Sequence, residues 1–301
     1  MTIPEVIGGA ALNNPPIEPE QPNRSSEGVE VPDNNVKVRD SVLGRLLQEL
    51  SWVGANIRDF HDGGLGFENV LTAEALTALD FLPRTDFLGA VLQAAHGAAA
   101  ARSKAVAEIE EAVITLFPEQ LVLRPNAPTN QTLVVQPDGS MTSTGSYVMI
   151  EAKRIRRSTF QPEQLAREYV SLMREAQGRA PLLLLILGSE PPVAVTGHGR
   201  MGIEDTISLH LSSVLERTED HDLDESSLRE SVPEVLSWIT WQELGSVVAK
   251  QQGIFCSDNP SVNATVSRLA GSLTDSIVRH SGPTTRVATL GESLGGLGSS
   301  R

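Results

Sequence analysis

The chain has 301 residues, 40% of them hydrophobic, a net charge of −14 and a single cysteine, Cys256. That length carries one sizeable core, or a core with a smaller helical unit, and one cysteine excludes an intramolecular disulfide framework and a cysteine-rich zinc site. The acidic balance excludes a protein that coats nucleic acid by bulk charge, so any such contact must come from a local basic patch.

Residues 1–39 hold six prolines and almost no aromatics, which predicts a disordered arm with no secretory signal. Residues 40–100 read as a helical N-terminal region. It comprises an amphipathic helix carrying Leu43, Leu46, Leu47, Leu50 and Val53, then two short helices on either side of Pro83. The segment from Ala101 reads as one helix that stops at Pro118. Strands follow in "EQLVL", "QTLVVQ" and "SYVMIEA", and "TFQPEQLAREYVSLMREAQG" is a helix with Pro162 in its first turn and Gly178 as its stop. "PLLLLILG" is a buried central strand, far too short to cross a membrane, and "PVAVTG" a further strand. Residues 201–285 read as helical throughout, with Trp238 and Trp241 as helix packing, and 286–301 as a flexible Gly/Ser tail. The expected class is α/β: a mixed four- to five-stranded sheet over residues 101–200, flanked by helices, with helical N- and C-terminal extensions. The chain reads as soluble and cytoplasmic.

The stretch "VVQPDGSMTSTGSYVMIEAKRIRR", Val134–Arg157, concentrates the chemistry. Alternation along "YVMIEAK" puts Val148, Ile150 and Ala152 on one face and Tyr147, Met149, Glu151 and Lys153 on the other. A reversal centred between Thr144 and Gly145 sets Asp138 directly across from Glu151, so the two carboxylates share a face and repel unless a cation lies between them. On the helix read for residues 101–118, Val106, Ile109, Val113, Leu116 and Phe117 form an apolar face with Glu110 inside its arc. A buried glutamate needs a partner or a metal, which makes Glu110 the third acid. Three carboxylates suit Mg²⁺ or Mn²⁺, and an adjacent lysine suits hydrolytic work at phosphate. Between Glu151 and Ala180 stand seven Lys/Arg against four Glu, the one basic island. Arg154, Arg156 and Arg157 are its phosphate-facing candidates. The segment Glu216–Glu234, with eight acids and two arginines, reads as a solvated face. The six histidines show no metal-ligand spacing, and His198 and Arg200 fall in a polar loop.

"QPDGSMTSTGSYVMIEAKR" resembles the PD-(D/E)XK nuclease superfamily, the restriction-endonuclease-like fold: Pro137-Asp138 matches its first element and Glu151-Ala152-Lys153 its second. The resemblance covers roughly residues 100–200. It implies a DNA-cleaving enzyme with Asp138, Glu151 and Lys153 as catalytic residues. The cation, Mg²⁺ or Mn²⁺, would be held by Glu110, Asp138, Glu151 and the Ala152 carbonyl. Some subfamilies carry a glutamine on the next helix with a tyrosine four residues later. Here Gln164 fits the first position, but Glu168 takes the second and Tyr169 follows it. Restriction, phage defence and repair are the roles such a family suggests. A protein partner would use the helical flanks or the acidic segment, and the C-terminal helical region stands open to DNA specificity, a homodimer contact or a partner site. The alternative is a catalytically silent nuclease-fold module that binds nucleic acid or protein.

Overall fold

The computed structural model of the chain describes residues 67–155, 159–219 and 223–281. Helices α1 (Phe67–Phe81) and α2 (Leu88–Ala94) come first, then the short β1 (His96–Gly97) and α3 (Ala99–Ala107). Five strands follow: β2 (Val113–Leu116), β3 (Leu121–Leu123), β4 (Leu133–Val135), β5 (Gly139–Thr142) and β6 (Ser146–Ala152). Next are β7 (Thr159–Phe160), α4 (Gln164–Glu175), β8 (Ala180–Leu187), β9 (Val193–Val195) and β10 (Gly199–Met201). The rest comprises α5 (Ile203–Leu215), α6 (Glu225–Val235), β11 (Leu236–Thr240), α7 (Trp241–Ile254) and α8 (Pro260–Ser281).

Strands β1-β11-β8-β6-β5-β2 form one six-stranded mixed sheet, with β6, β8 and β11 parallel at its centre. These central strands are buried on both sides, which explains the unbroken run Leu182–Leu187. Their two faces seed two apolar layers. Val148, Ile150, Ala152, Leu184 and Ile186 pack with α1, α2, α3, α7 and α8, whereas Met149, Leu183, Leu185 and Leu187 pack with α4, α5 and α6. The fold is thus a three-layer α/β arrangement, with a two-stranded sheet (β3-β4) and a three-stranded one (β10-β9-β7) at its side. Among the described residues no helix is long and apolar enough to cross a membrane.

The sheet has six strands rather than four or five, and three local readings change with it. Residues 101–118 are not one helix: α3 ends at Ala107 and Val113–Leu116 is the edge strand beside β5. Val113, Ile114 and Thr115 are three β-branched residues in succession, stiff in a helix and suited to a strand, and a free edge was there to receive them. Second, "QTLVVQ" pairs with "EQLVL" apart from the main sheet, and the polar run Gly139–Thr142 is the strand beside β6. Third, the C-terminal region is not wholly helical. Leu236–Thr240 is a strand alongside β8, so a boundary near residue 200 would cut through the sheet. Trp238 lies on that strand, stacked on His96 with ring centroids 4.1 Å apart. The arm at 1–39, the helix read from Asp40, Arg156, Arg157 and the tail at 286–301 lie outside the described residues.

Candidate active site

Strand β6 ends at Ala152, and its last residues carry the chemistry. The β5–β6 ladder sets Gly139 opposite Ile150 and Met141 opposite Val148, the registry that brings Asp138 level with Glu151. The Glu108 carboxylate holds the hairpin, accepting from the Ser143 hydroxyl and, at 3.0 Å, from the Gly145 amide. Asp138 precedes the ladder, and its Oδ2 accepts the Ala152 backbone N–H at 2.7 Å, so the acid substitutes for a carbonyl at the strand's end.

Glu151 and Lys153 project toward the layer that contains α4. Their side chains are 6% and 11% exposed, and Lys153 Nζ lies 2.5 Å from Glu151 Oε1. The ammonium also sits 4.9 Å from the centroid of the buried Phe160 ring on β7. From α4 the Gln164 side-chain amide donates to Glu151 Oε1 at 2.6 Å and to Glu168 Oε1 at 2.8 Å. Gln164 and Glu168 are four apart and so stand over the same stretch of sheet. The amide bridges two buried carboxylates.

The electrostatics follow from that burial. Desolvation raises the Glu151 pKa, partly offset by the Lys153 charge and by hydrogen bonds from Lys153 and Gln164. Glu168 is pushed well above the usual carboxylate range, first by desolvation and then by the Glu151 charge, with Asp138 adding to the effect. Its Oε2 is buried and makes no hydrogen bond. Burial and the neighbouring Glu151 charge therefore favour the protonated form of Glu168, and one of its oxygens is unused.

Of the residues singled out in the sequence, Asp138, Glu151, Ala152, Lys153 and Gln164 come together. Glu110 does not join them. It is exposed in the turn after α3, where its Oε1 accepts from the Thr85 backbone N–H at 3.0 Å and from the Thr85 hydroxyl at 2.6 Å. The helix that was to aim it inward ends before it. The third acid in the cluster is Glu168, from the helix after the strand instead of the one before it. Its signal was the four-residue spacing from Gln164. Arg154 follows Lys153 and is half-buried. His198 and Arg200 are exposed on the β9–β10 hairpin, and the His198 ring meets His210 edge-on at 5.3 Å.

Among the described residues no three His, Cys, Asp or Glu side chains stand at the mutual distances that hold a metal ion. In the cluster, Lys153 and Gln164 occupy the space between the acids. The donor set is nonetheless all oxygen from acids, and the unused Glu168 Oε2 is the kind of atom a hard cation would satisfy. Comparison with protein-family models, with curated proteins and with solved structures finds no match.

Proposed function

We propose that the chain is a divalent-cation-dependent phosphodiesterase that cleaves DNA in the cytoplasm, built on the PD-(D/E)XK plan. The observation that carries this reading is the convergence of Asp138, Glu151, Lys153 and Glu168 at the end of one central strand. A surface hairpin would leave Glu151 and Lys153 in water. Here both are buried beside a second acid, Glu168, whose pKa is raised by the same burial.

Glu151, Glu168 and Asp138, with the Ala152 carbonyl, would hold Mg²⁺ or Mn²⁺. Bound there, the cation supplies positive charge at a phosphoryl oxygen and acidifies a water. The ionised form of Glu168, disfavoured by its burial, is the one that would hold the cation. Gln164 keeps the Glu151 and Glu168 carboxylates in fixed relative orientation through its two N–H bonds. The Lys153 ammonium, held by Glu151 and resting over Phe160, turns to the phosphate and offsets the charge that builds during attack. Arg154, Arg156 and Arg157 follow in sequence as phosphate contacts. The departure from the superfamily plan is the source of the third acid, which comes from the following helix.

A second reading, a silent module that binds nucleic acid or a protein partner, is favoured by one observation. The Glu151–Lys153 pair satisfies itself and is nearly sealed from solvent. Incubation with plasmid, linear and single-stranded DNA, in Mg²⁺, Mn²⁺ or EDTA, separates the two. The enzyme reading expects cation-dependent cleavage that is lost in Lys153→Ala. Cleavage that survives that substitution overturns the mechanism, and DNA binding without cleavage on every substrate selects the silent module.

A further inference from the structure

Lys153 is the first residue past the end of β6. Its N–H still donates to the Ile186 carbonyl of β8 at 2.8 Å. Its own carbonyl is held by the buried Trp241 indole, whose Nε1 donates to Lys153 O at 2.8 Å. The indole belongs to the apolar layer on the opposite side of the sheet from the Lys153 amine. One face of the sheet therefore holds the backbone while the side chain reaches into the other.

The indole is itself fixed. Trp241 opens α7, and Thr240 before it is the N-cap of a reciprocal capping box with Glu243. Glu243 Oε1 in turn lies 2.8 Å from His96 Nε2 on the edge strand β1. A second constraint closes on the same turn from β8. A Cβ at Gly188 would stand 2.2 Å from the Arg154 carbonyl oxygen and 2.3 Å from that of Ile155, so only glycine admits the backbone there.

We infer that Trp241 is a positioning residue: its indole, with Gly188 opposite, clamps the turn Lys153–Ile155 and so sets where the Lys153 ammonium stands. This assigns the C-terminal segment a part in the site, and it rests on the phosphodiesterase reading. The carboxylates sit on β6, α4 and the approach to β5, not on the clamped turn. Loss of the clamp therefore acts on the amine and spares cation binding.

The test compares wild type with Trp241→Phe, with Trp238→Phe, and with Trp241 replaced by benzothienylalanine, which keeps the indole's shape and puts sulfur in place of the N–H. Cleavage gives kcat and KM, and Mn²⁺ titration gives cation affinity. Losing the donor should lower kcat roughly tenfold to a hundredfold, in line with the sensitivity of such steps to ångström displacements. KM and Mn²⁺ affinity should stay near wild type, and Trp238→Phe should leave kcat unchanged. The isostere keeps the test decisive if Trp241→Phe fails to fold. Wild-type kcat in the isostere overturns the inference while the enzyme reading stands. A parallel fall in Mn²⁺ affinity marks a structural role and also overturns it. If wild type neither binds Mn²⁺ nor cuts any DNA, the enzyme reading itself fails and the inference falls with it.

Discussion

Lys153→Met is the sharpest probe of whether the charged strand end is buried machinery or a solvated hairpin tip. Methionine keeps the length and apolar stem of the side chain and removes the ammonium. In the structure Glu151 then loses its 2.5 Å partner while only 6% exposed. Breaking an ion pair this buried costs about 3–5 kcal/mol, against about 0–1 kcal/mol for an exposed pair. Two features temper the loss. Glu151 keeps its bond from Gln164, and it can take up a proton. A protonated Glu151 carries no uncompensated charge, so the loss must depend on pH. Without the ammonium that offsets burial, the folded pKa of Glu151 rises further. An acid raised in the folded state contributes stability that is fully present below its unfolded value, near 4.5, and is lost as pH rises through the folded value. The gap from wild type should therefore be small near pH 5 and approach its full size near pH 8. There it corresponds to a fall in melting temperature of about 6–20 °C for a domain of this size. Urea unfolding at several pH values, with calorimetry alongside, reads both the size and the slope. The double substitution Glu151→Leu with Lys153→Met should recover most of the loss, because a buried pair replaced by apolar groups is often neutral. A loss under about 1 kcal/mol with no pH slope would refute the burial argument and return the stretch to an ordinary surface hairpin.

Glu168→Gln keeps the bond from the Gln164 amide and removes a titrating group. Because the folded pKa of Glu168 lies well above 4.5, wild-type stability drains as pH rises above that value. The variant should match wild type near pH 4.5 and overtake it at pH 8 in metal-free buffer, by thermal melts. Mg²⁺ should raise the melting temperature of wild type there and not that of the variant; equal responses would remove Glu168 from the cation site. Glu110→Gln, by contrast, alters an exposed group that accepts hydrogen bonds from Thr85 and stands apart from the cluster. It should shift stability by no more than about 0.5 kcal/mol and leave cleavage at the wild-type rate, and a large loss of activity would restore it to the site.

Much of the site could be read from the sequence because its geometry is local. Period-two alternation put Glu151 and Lys153 on one face, and a short reversal at Thr144-Gly145 fixed the registry with Asp138; both depend only on neighbours within one hairpin. "TWQE" also spelled a capping box, which begins α7 and ends the strand before it, although the helical reading passed over it. Residues 113–116 show where local information ran out. A short apolar run fits a helix face and a strand equally well, and the free edge of β5 decided between them. That decision turned Glu110 outward. Three contacts belong to the tertiary structure alone: Glu168 over Glu151, the Trp241 indole on the Lys153 carbonyl, and Gly188 against the turn beyond. Each joins segments whose meeting depends on how helices and strands stack on the finished sheet; spacing along the chain sets Glu168 beside Gln164 but not the strand that both face. The sequence by itself determined which residues carry charge at the strand's end. Packing on both faces of the sheet decided which acid and which backbone donor they meet.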